Sequence, residues 1–182
     1  MKDKSDSTFR IYVSNPEICR MLILRSDDDD EKIIGRALIW KLSSIKRAGK
    51  DLEGVEYFMD RQYTINDSDV VKFKNYAKEQ GWAYKAYNNH HSFEPIFYKD
   101  EEFNAKMTVQ LVGKHGGDFD YSSYPYMDTF RRYDPENGIL YNDDDTDSKN
   151  KGNYILASTN GSYEEIESGA YRDWETDRKS VV

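Results

Sequence analysis

The stretch that most constrains this chain is residues 55–87, which reads as strand, helix start, helix and strand again. Residues 55–64 run Val-Glu-Tyr-Phe-Met-Asp-Arg-Gln-Tyr-Thr, rich in the aromatic side chains that fit a pleated surface. Asn66 or Asp67 can cap the helix that follows, by accepting a bond from a first-turn amide. Asp67 and Asp69 stand at the positive end of its dipole and Lys78 near the negative end. Val70, Phe73 and Ala77, with Tyr76 beside them, recur at helical spacing, and Lys72, Lys74, Asn75 and Lys78 fill the opposite side. Gly81 can close the helix in the left-handed conformation. Trp82-Ala83-Tyr84-Lys85-Ala86-Tyr87 then supplies the second strand, so the stretch predicts a βαβ-like unit.

Simple alternation over residues 57–64 places Tyr57, Met59, Arg61 and Tyr63 on one face, and Phe58, Asp60, Gln62 and Thr64 on the other. Asp60 and Arg61 in the middle of an aromatic strand are either edge charges that discourage aggregation or residues that face a cleft.

Around this unit, 182 residues suit one domain or one domain with an appendage. Only 37% of the chain is hydrophobic, but 15 Tyr, 8 Phe and 3 Trp can build a core from few side chains. The net charge of -8 and the acidic clusters at 27–31 and 143–147 argue against nucleic acid as a partner, because such binding depends on neutralising phosphates. The single cysteine, Cys19, excludes an internal disulfide framework and fits a reducing compartment. No apolar run approaches the length that spans a bilayer, and no secretory leader is visible, so no membrane partner and a cytoplasmic location are expected.

Taken in order, 9–13 predicts a short strand. Ser14-Asn15-Pro16-Glu17 predicts a helical turn through Ile18 and Cys19, with the proline at its first position. Cys19, beside Ile18, Met21 and Leu22, reads as a buried thiol. Residues 21–25 and 32–42 predict two strands joined by the Asp27 to Asp30 tip. The second is nearly continuous hydrophobe, as in a strand covered on both faces, and Gly35 within it implies a bulge or a close approach. Residues 43–54 read as a polar excursion.

Beyond Tyr87, residues 88–92 and 115–117 read as loop and turn. Residues 96–98, 105–112, 124–133, 139–142, 154–158 and 162–166 read as strands. Turns are predicted at 134–138 and at Asn160-Gly161. Tyr57-Phe58-Met59-Asp60 is echoed by Tyr124-Pro125-Tyr126-Met127-Asp128. The resulting division is a core over 9–87, a β-rich extension over 88–166 packed on it, and a tail over 167–182. Residues 177–182 match one codon reading of a sequencing adapter, the expected scar of a truncated environmental read.

The searched chemistries are mostly absent. His90, His91, His115 and Cys19 lack zinc spacing. Asp143, Asp145 and Asp147 match the first three ligand positions of a calcium loop, but Ser148 stands where the sharp-turn glycine belongs and Tyr154 where the bidentate glutamate belongs. A solvated tip is the simpler expectation. Asp60 and Asp128 are candidate carboxylates through their equivalent places in the echo.

Two resemblances carry the functional expectation. Residues 33–40 and 58–64, followed by the helix, resemble the third and fourth strands and acyl-CoA-binding helix of the GNAT N-acetyltransferase fold. Gly35 to Trp40, Phe58 to Arg61 and Tyr124 to Thr129 resemble stretches of uncharacterised proteins of tailed phages. Together they imply an α+β chain with a mixed or antiparallel sheet: a GNAT-like ββ-β-α-β core followed by a meander of short strands. The acetyltransferase resemblance implies acetyl-CoA as cofactor at Asn66, Asp67, Ser68 and Asp69. Asp60, Tyr63 and Asp128 are then candidate acid–base residues, and a V-shaped split between the strands flanking the helix is expected.

The sequence departs from that family where anions bind. GNAT enzymes hold pyrophosphate on free amides of a glycine-containing loop at the helix start. Here the same place carries two carboxylates and no glycine. One misplaced charge about 4 Å from a phosphate costs on the order of 4 kcal/mol at an effective dielectric near 20. The expectation is therefore a non-catalytic, phage-associated binding module without cofactor, acting in an infected bacterial cell. Its partner would be a protein or a small molecule, met through an exposed row of Tyr57, Tyr63, Tyr124 and Tyr126. A divergent acyl-CoA-dependent N-acyltransferase is the alternative.

Overall fold

The computed structural model describes residues 10–88, 94–112, 128–130, 132–134, 136–143 and 154–155. The predictions at 115–117, 124–127, 160–161, 162–166 and 167–182 lie outside these residues. The described chain is α+β, mostly strands with little helix. A helical turn α1 (Arg10–Val13) precedes strands β1 (Cys19–Arg25), β2 (Ile33–Lys41), β3 (Ser44–Arg47), β4 (Lys50–Asp51) and β5 (Tyr57–Thr64). Helix α2 (Val70–Glu79) leads to β6 (Ala83–Lys85), β7 (Ile96–Tyr98), β8 (Glu101–Phe103) and β9 (Lys106–Gln110). Strands β10 (Arg132–Asp134), β11 (Ile139–Tyr141) and β12 (Tyr154–Ile155) follow.

Two sheets form. The first runs β1-β2-β5-β6-β7-β8 and the second β12-β10-β11-β9-β3-β4. β5 and β6 are parallel, as a strand–helix–strand unit requires, and every other pairing is antiparallel. The two sheets enclose the larger core: Trp40, Phe58, Ala83 and Ile96 from the first meet Ile45, Met107, Val109, Tyr133 and Leu140 from the second. On the other face of the first sheet, α2 sets Phe73 and Ala77 against Ala37, Ile39 and Met59. β2 is therefore covered on both faces, which explains its nearly continuous apolar sequence, broken at Arg36.

Gly35 sits where this helix approaches the sheet. A Cβ there would lie 2.7 Å from Phe73 Cε2 and 3.1 Å from Thr64 Cγ2. The ladder with β1 also shifts here, with Leu24 opposite Gly35 and Arg25 opposite Ile33, so the glycine combines a close approach with an adjoining bulge. The end of α2 follows its sequence: Gly81 has φ +70°, and the amides of Gly81 and Trp82 reach the carbonyls of Lys78 and Ala77 at 3.1 and 2.9 Å. Its start does not. Asn66 is extended but makes no side-chain cap bond, and a 3-10 turn (Asp67–Asp69) leads into the helix. The Asp69 amide takes the Asn66 carbonyl at 3.0 Å, and the Asp69 carboxylate pairs with Lys72 at 3.3 Å, one turn along.

Three local expectations change. Residues 10–13 are a helical turn rather than a strand, because the Asn15 carboxamide donates to the Ile11 carbonyl at 2.7 Å and closes the turn. Residues 16–18 form one turn, but Cys19 already opens β1. The polar excursion at 43–54 contains a hairpin, β3–β4, turning through Ala48 and Gly49, both at positive φ. The turn after β10 is as predicted: Gly138 has φ +68°, and its amide bonds the Asp134 carbonyl at 2.7 Å.

The largest change lies in β5. Its ladder with β2 pairs Ile39 with Met59 and Ala37 with Gln62, so Asp60 and Arg61 together stand opposite Leu38. This is a β-bulge, and it reverses the alternation beyond it. Tyr57 and Met59 face α2, as do Gln62, whose partner is Ala37, and Thr64, which lies near Gly35. Phe58 and Tyr63 lie on the opposite face, paired with Trp40 and Arg36. Tyr57 and Tyr63 therefore do not share a row, and Tyr124 and Tyr126 lie outside the described residues. The exposed large apolar side chains include Met21, Ile23, Ile33, Val71, Tyr76 and Tyr87 instead.

The substitution Gly35→Ala is expected to lower stability by about 1–3 kcal/mol, the usual cost of overpacking, because the buried Phe73 ring must move. Urea denaturation measures this, and the loss in Gly35→Ala/Phe73→Leu should be smaller than the sum of the single losses.

Candidate functional site

Regular alternation sets Asp60 on the Phe58 side of β5, and the bulge adds Arg61 to it, so two charged residues face the space between the sheets, where an interior would ordinarily be apolar. Asp60 is 1% exposed. Its carboxylate accepts from the Arg61 amide at 2.8 Å, from the Thr129 hydroxyl at 2.5 Å and from the Thr129 amide at 3.3 Å. Lys85, at the end of β6, is equally buried. Asp128 is buried beside them, accepts the Tyr63 hydroxyl on Oδ2, and faces Arg61 Nη1 across 3.9 Å on Oδ1. Asp60, Tyr63 and Asp128, singled out separately in the sequence, thus belong to one cluster. Residues of the two echoed segments meet in it.

Burial sets the protonation behaviour. Desolvation pushes the Asp60 carboxyl up, and the Asp128 charge adds to this. The Lys85 ammonium and the Thr129 and Arg61 hydrogen bonds pull it back. Desolvation pushes Lys85 down, against the pull of Asp60, Asp128 and Glu94. Tyr63 is held far above its ordinary value, first by burial and then by Asp128, so its hydroxyl remains a donor. Burial likewise raises the Cys19 thiol well above its usual range, with Asp60 adding to the effect. Cys19 is 6% exposed and behaves as a small apolar residue, with no thiolate to attack with.

The space between β5 and β6 is the second element of the site. Their ladder covers only Phe58 with Ala83 and Met59 with Tyr84. Beyond it, the Asn88 carboxamide takes over: Oδ1 accepts the Gln62 amide and Nδ2 donates to the Gln62 carbonyl, each at 2.8 Å. The strands part, and a side chain occupies the backbone positions that a neighbouring strand or an extended ligand would use.

The residues implied for a cofactor lie at the start of α2. Asn66, Asp67 and Ser68 are exposed, and Asp69 is buried. Asp69 is tied to Lys72 at 3.3 Å, and Lys72 also reaches Asp27 of the acidic tip at 3.5 Å. Neither Asn66 nor Asp69 caps the helix with its side chain, and the Asp69 carboxylate is held by Lys72.

Of the candidate cation ligands, Asp145 and Asp147 lie outside the described residues. Asp143 is not a solvated tip residue. It is buried and pairs with Arg132 at 2.6 Å and Lys106 at 3.6 Å, while the Arg132 guanidinium lies 3.8 Å over the Tyr141 ring. Among the described residues, no three His, Cys, Asp or Glu side chains group as a metal site. His90, His91 and His115 lie outside the described residues.

Lys85, Asn88, Thr129 and Arg36 were not singled out from the sequence. Thr129 directly follows the echoed aspartate, which was a usable signal. Lys85 sits in a short, otherwise apolar strand, an equally readable anomaly. Asn88 lies in a polar loop and gave no signal.

The Asp60–Lys85 coupling has a pH signature. A carboxyl held above its unfolded value stabilises the fold while protonated, and that contribution is lost as pH rises through the folded value. Lys85→Met removes the first influence that lowers the Asp60 carboxyl. The variant should therefore lose more stability than wild type as pH rises, measured by urea denaturation over a pH series. Parallel pH profiles would show that the two groups are not coupled. Comparison with protein-family models, with curated proteins and with solved structures finds no match to the chain.

Proposed function

We propose that this chain is a non-catalytic binding module on a scaffold like the core of GNAT N-acetyltransferases, serving a tailed phage in the cytoplasm of its bacterial host. The phage assignment draws on the sequence resemblance carried by Gly35 to Trp40, Phe58 to Arg61 and Tyr124 to Thr129. The module binds a protein or a small molecule and carries no cofactor.

The observation that supports this reading best is the bridge from Asn88 to Gln62. An acyl donor in the family's manner would thread between the parallel strands and bond to the exposed backbone of the first. Here the backbone amide and carbonyl of Gln62 are already taken at 2.8 Å. Behind the bridge, the candidate acid–base groups are committed to one another: Asp60 to Thr129, and Tyr63 to Asp128. A group that transfers a proton must come within hydrogen-bond reach of substrate, and Asp60 at 1% exposure has no such access. Asp67 and Asp69 also place negative charge where a pyrophosphate would sit. No helix among the described residues is long and apolar enough to cross a membrane.

A divergent acyltransferase remains the second reading. One observation favours it: the β5–β6 ladder stops after two residue pairs, immediately beside a bulge in β5. Isothermal titration with acetyl-CoA at millimolar ligand, paired with an assay for free coenzyme A over a panel of amines, separates the two. The binding-module reading expects no saturable heat and no release. Saturable heat with turnover would establish the acyltransferase.

A further inference from the structure

We infer that Arg61, with Tyr63 beneath it and Arg36 beside it, forms a binding site for an oxyanion, a carboxylate or phosphate carried by a small ligand. This rests on the binding-module reading and names the chemistry that the module would recognise.

The bulge brings Arg61 to the same side of β5 as Asp60 and Tyr63, where a regular strand would have sent it to the α2 face. Its side chain keeps 24% of its exposure, so most of the guanidinium is out of water and one edge is reachable. A guanidinium carries five N–H donors in a rigid fork. Among the described residues Arg61 makes no hydrogen bond through that fork. Nε is buried without an acceptor, and the nearest carboxylate oxygen, Asp128 Oδ1, lies 3.9 Å from Nη1. The other Asp128 oxygen is committed to Tyr63. A guanidinium with so few acceptors is costly to a fold, and an incoming oxyanion would supply them at its solvent-reachable edge.

The surroundings fit that occupant. The Arg61 guanidinium stands 4.9 Å from the Tyr63 ring centroid, and Arg36 of the neighbouring strand stands 5.6 Å from the same centroid. Arg36 is engaged elsewhere as well and contributes charge rather than free donors. Two like charges converge on one ring, and among the described residues Asp128 is the carboxylate that faces Arg61. The Arg61 fork matches a carboxylate or phosphate with two parallel bonds. Arg36, Arg61 and Tyr63 are each partly exposed, whereas Asp60 and Lys85 are sealed. A ligand therefore reaches the fork without opening the core.

The test follows the Arg61 Nε–H resonance by heteronuclear NMR while the full chain is titrated with sodium phosphate or sodium succinate, at ionic strength held constant with chloride. Saturable displacement of that resonance by either anion is expected, and which anion acts tells phosphate from carboxylate. Binding should weaken at least about tenfold in Arg61→Gln, the loss of a charge-assisted fork pair. Arg61→Lys, which keeps the charge, should weaken it by a similar factor because the fork is gone. A fingerprint spectrum of each variant verifies its fold, and Arg36→Gln, expected to weaken binding several-fold, gives an independent reading. No saturable shift with either anion would overturn the site while leaving the binding-module reading standing. A shift reproduced by chloride alone, or retained in Arg61→Gln, would overturn it too. Turnover of acetyl-CoA would instead defeat the module reading and leave the anion result to stand or fall by itself.

Discussion

A carboxylate in the interior must be answered by donors, and Asp60 is answered by groups from far along the chain. Its partners are the neighbouring amide of Arg61, the hydroxyl and amide of Thr129, and the charge of Lys85. Removing an ion from water costs several kcal/mol even after the surroundings relax. Asp60 is therefore compatible with burial only when the segment at 128–130 and the end of β6 are both in place. Asp60 points inward by regular alternation from Phe58, and the bulge that follows shifts Arg61 and Tyr63 onto the same face. One irregularity in one ladder thus fixes the candidate site, the reversed alternation of β5 and the docking of a segment that follows it by more than sixty residues.

Buried asparagine carboxamides elsewhere do work that backbone would do in a more regular fold. Asn15 joins the Ile11 carbonyl to the Val112 amide, and Asn142 joins the Met107 amide to the Ala105 carbonyl. Asn88 completes the pattern at Gln62. A carboxamide offers the same donor and acceptor as a peptide group, so it can close a place where strands diverge without leaving a buried amide unpaired. That substitution satisfies the Gln62 backbone beyond the end of the β5–β6 ladder. It is also why the reading as a binding module sits more comfortably with the geometry than an open acyl-donor cleft does.

Electrostatics divides the molecule along the same lines. The acidic turn at Asp67 and Asp69 stays at the start of α2, partly neutralised by Lys72. The anion-seeking fork lies on the far face of the sheet, at Arg61. Any acidic ligand is thereby steered away from the helix start that the acetyltransferase resemblance would have used. Asp143, meanwhile, is recruited by Arg132 and Lys106 into the fold.

The sequence by itself determined the local elements whose signals are periodic or conformational. The β5–α2–β6 unit, the doubly covered β2, the left-handed Gly81, the turn closing at Gly138 and the buried Cys19 all follow from residues within a turn or two of one another. Tertiary structure alone decided the rest. A bulge is invisible to an alternation count, because a shift of one residue depends on what the neighbouring strand demands. Residues 10–13 became a helical turn because of a side-chain bond from Asn15, and the polar excursion became a hairpin because β9 offered it an edge. The candidate carboxylates could be picked out as anomalies. That they face each other, sealed between two sheets with a lysine, follows from long-range packing that no window of neighbouring residues encodes.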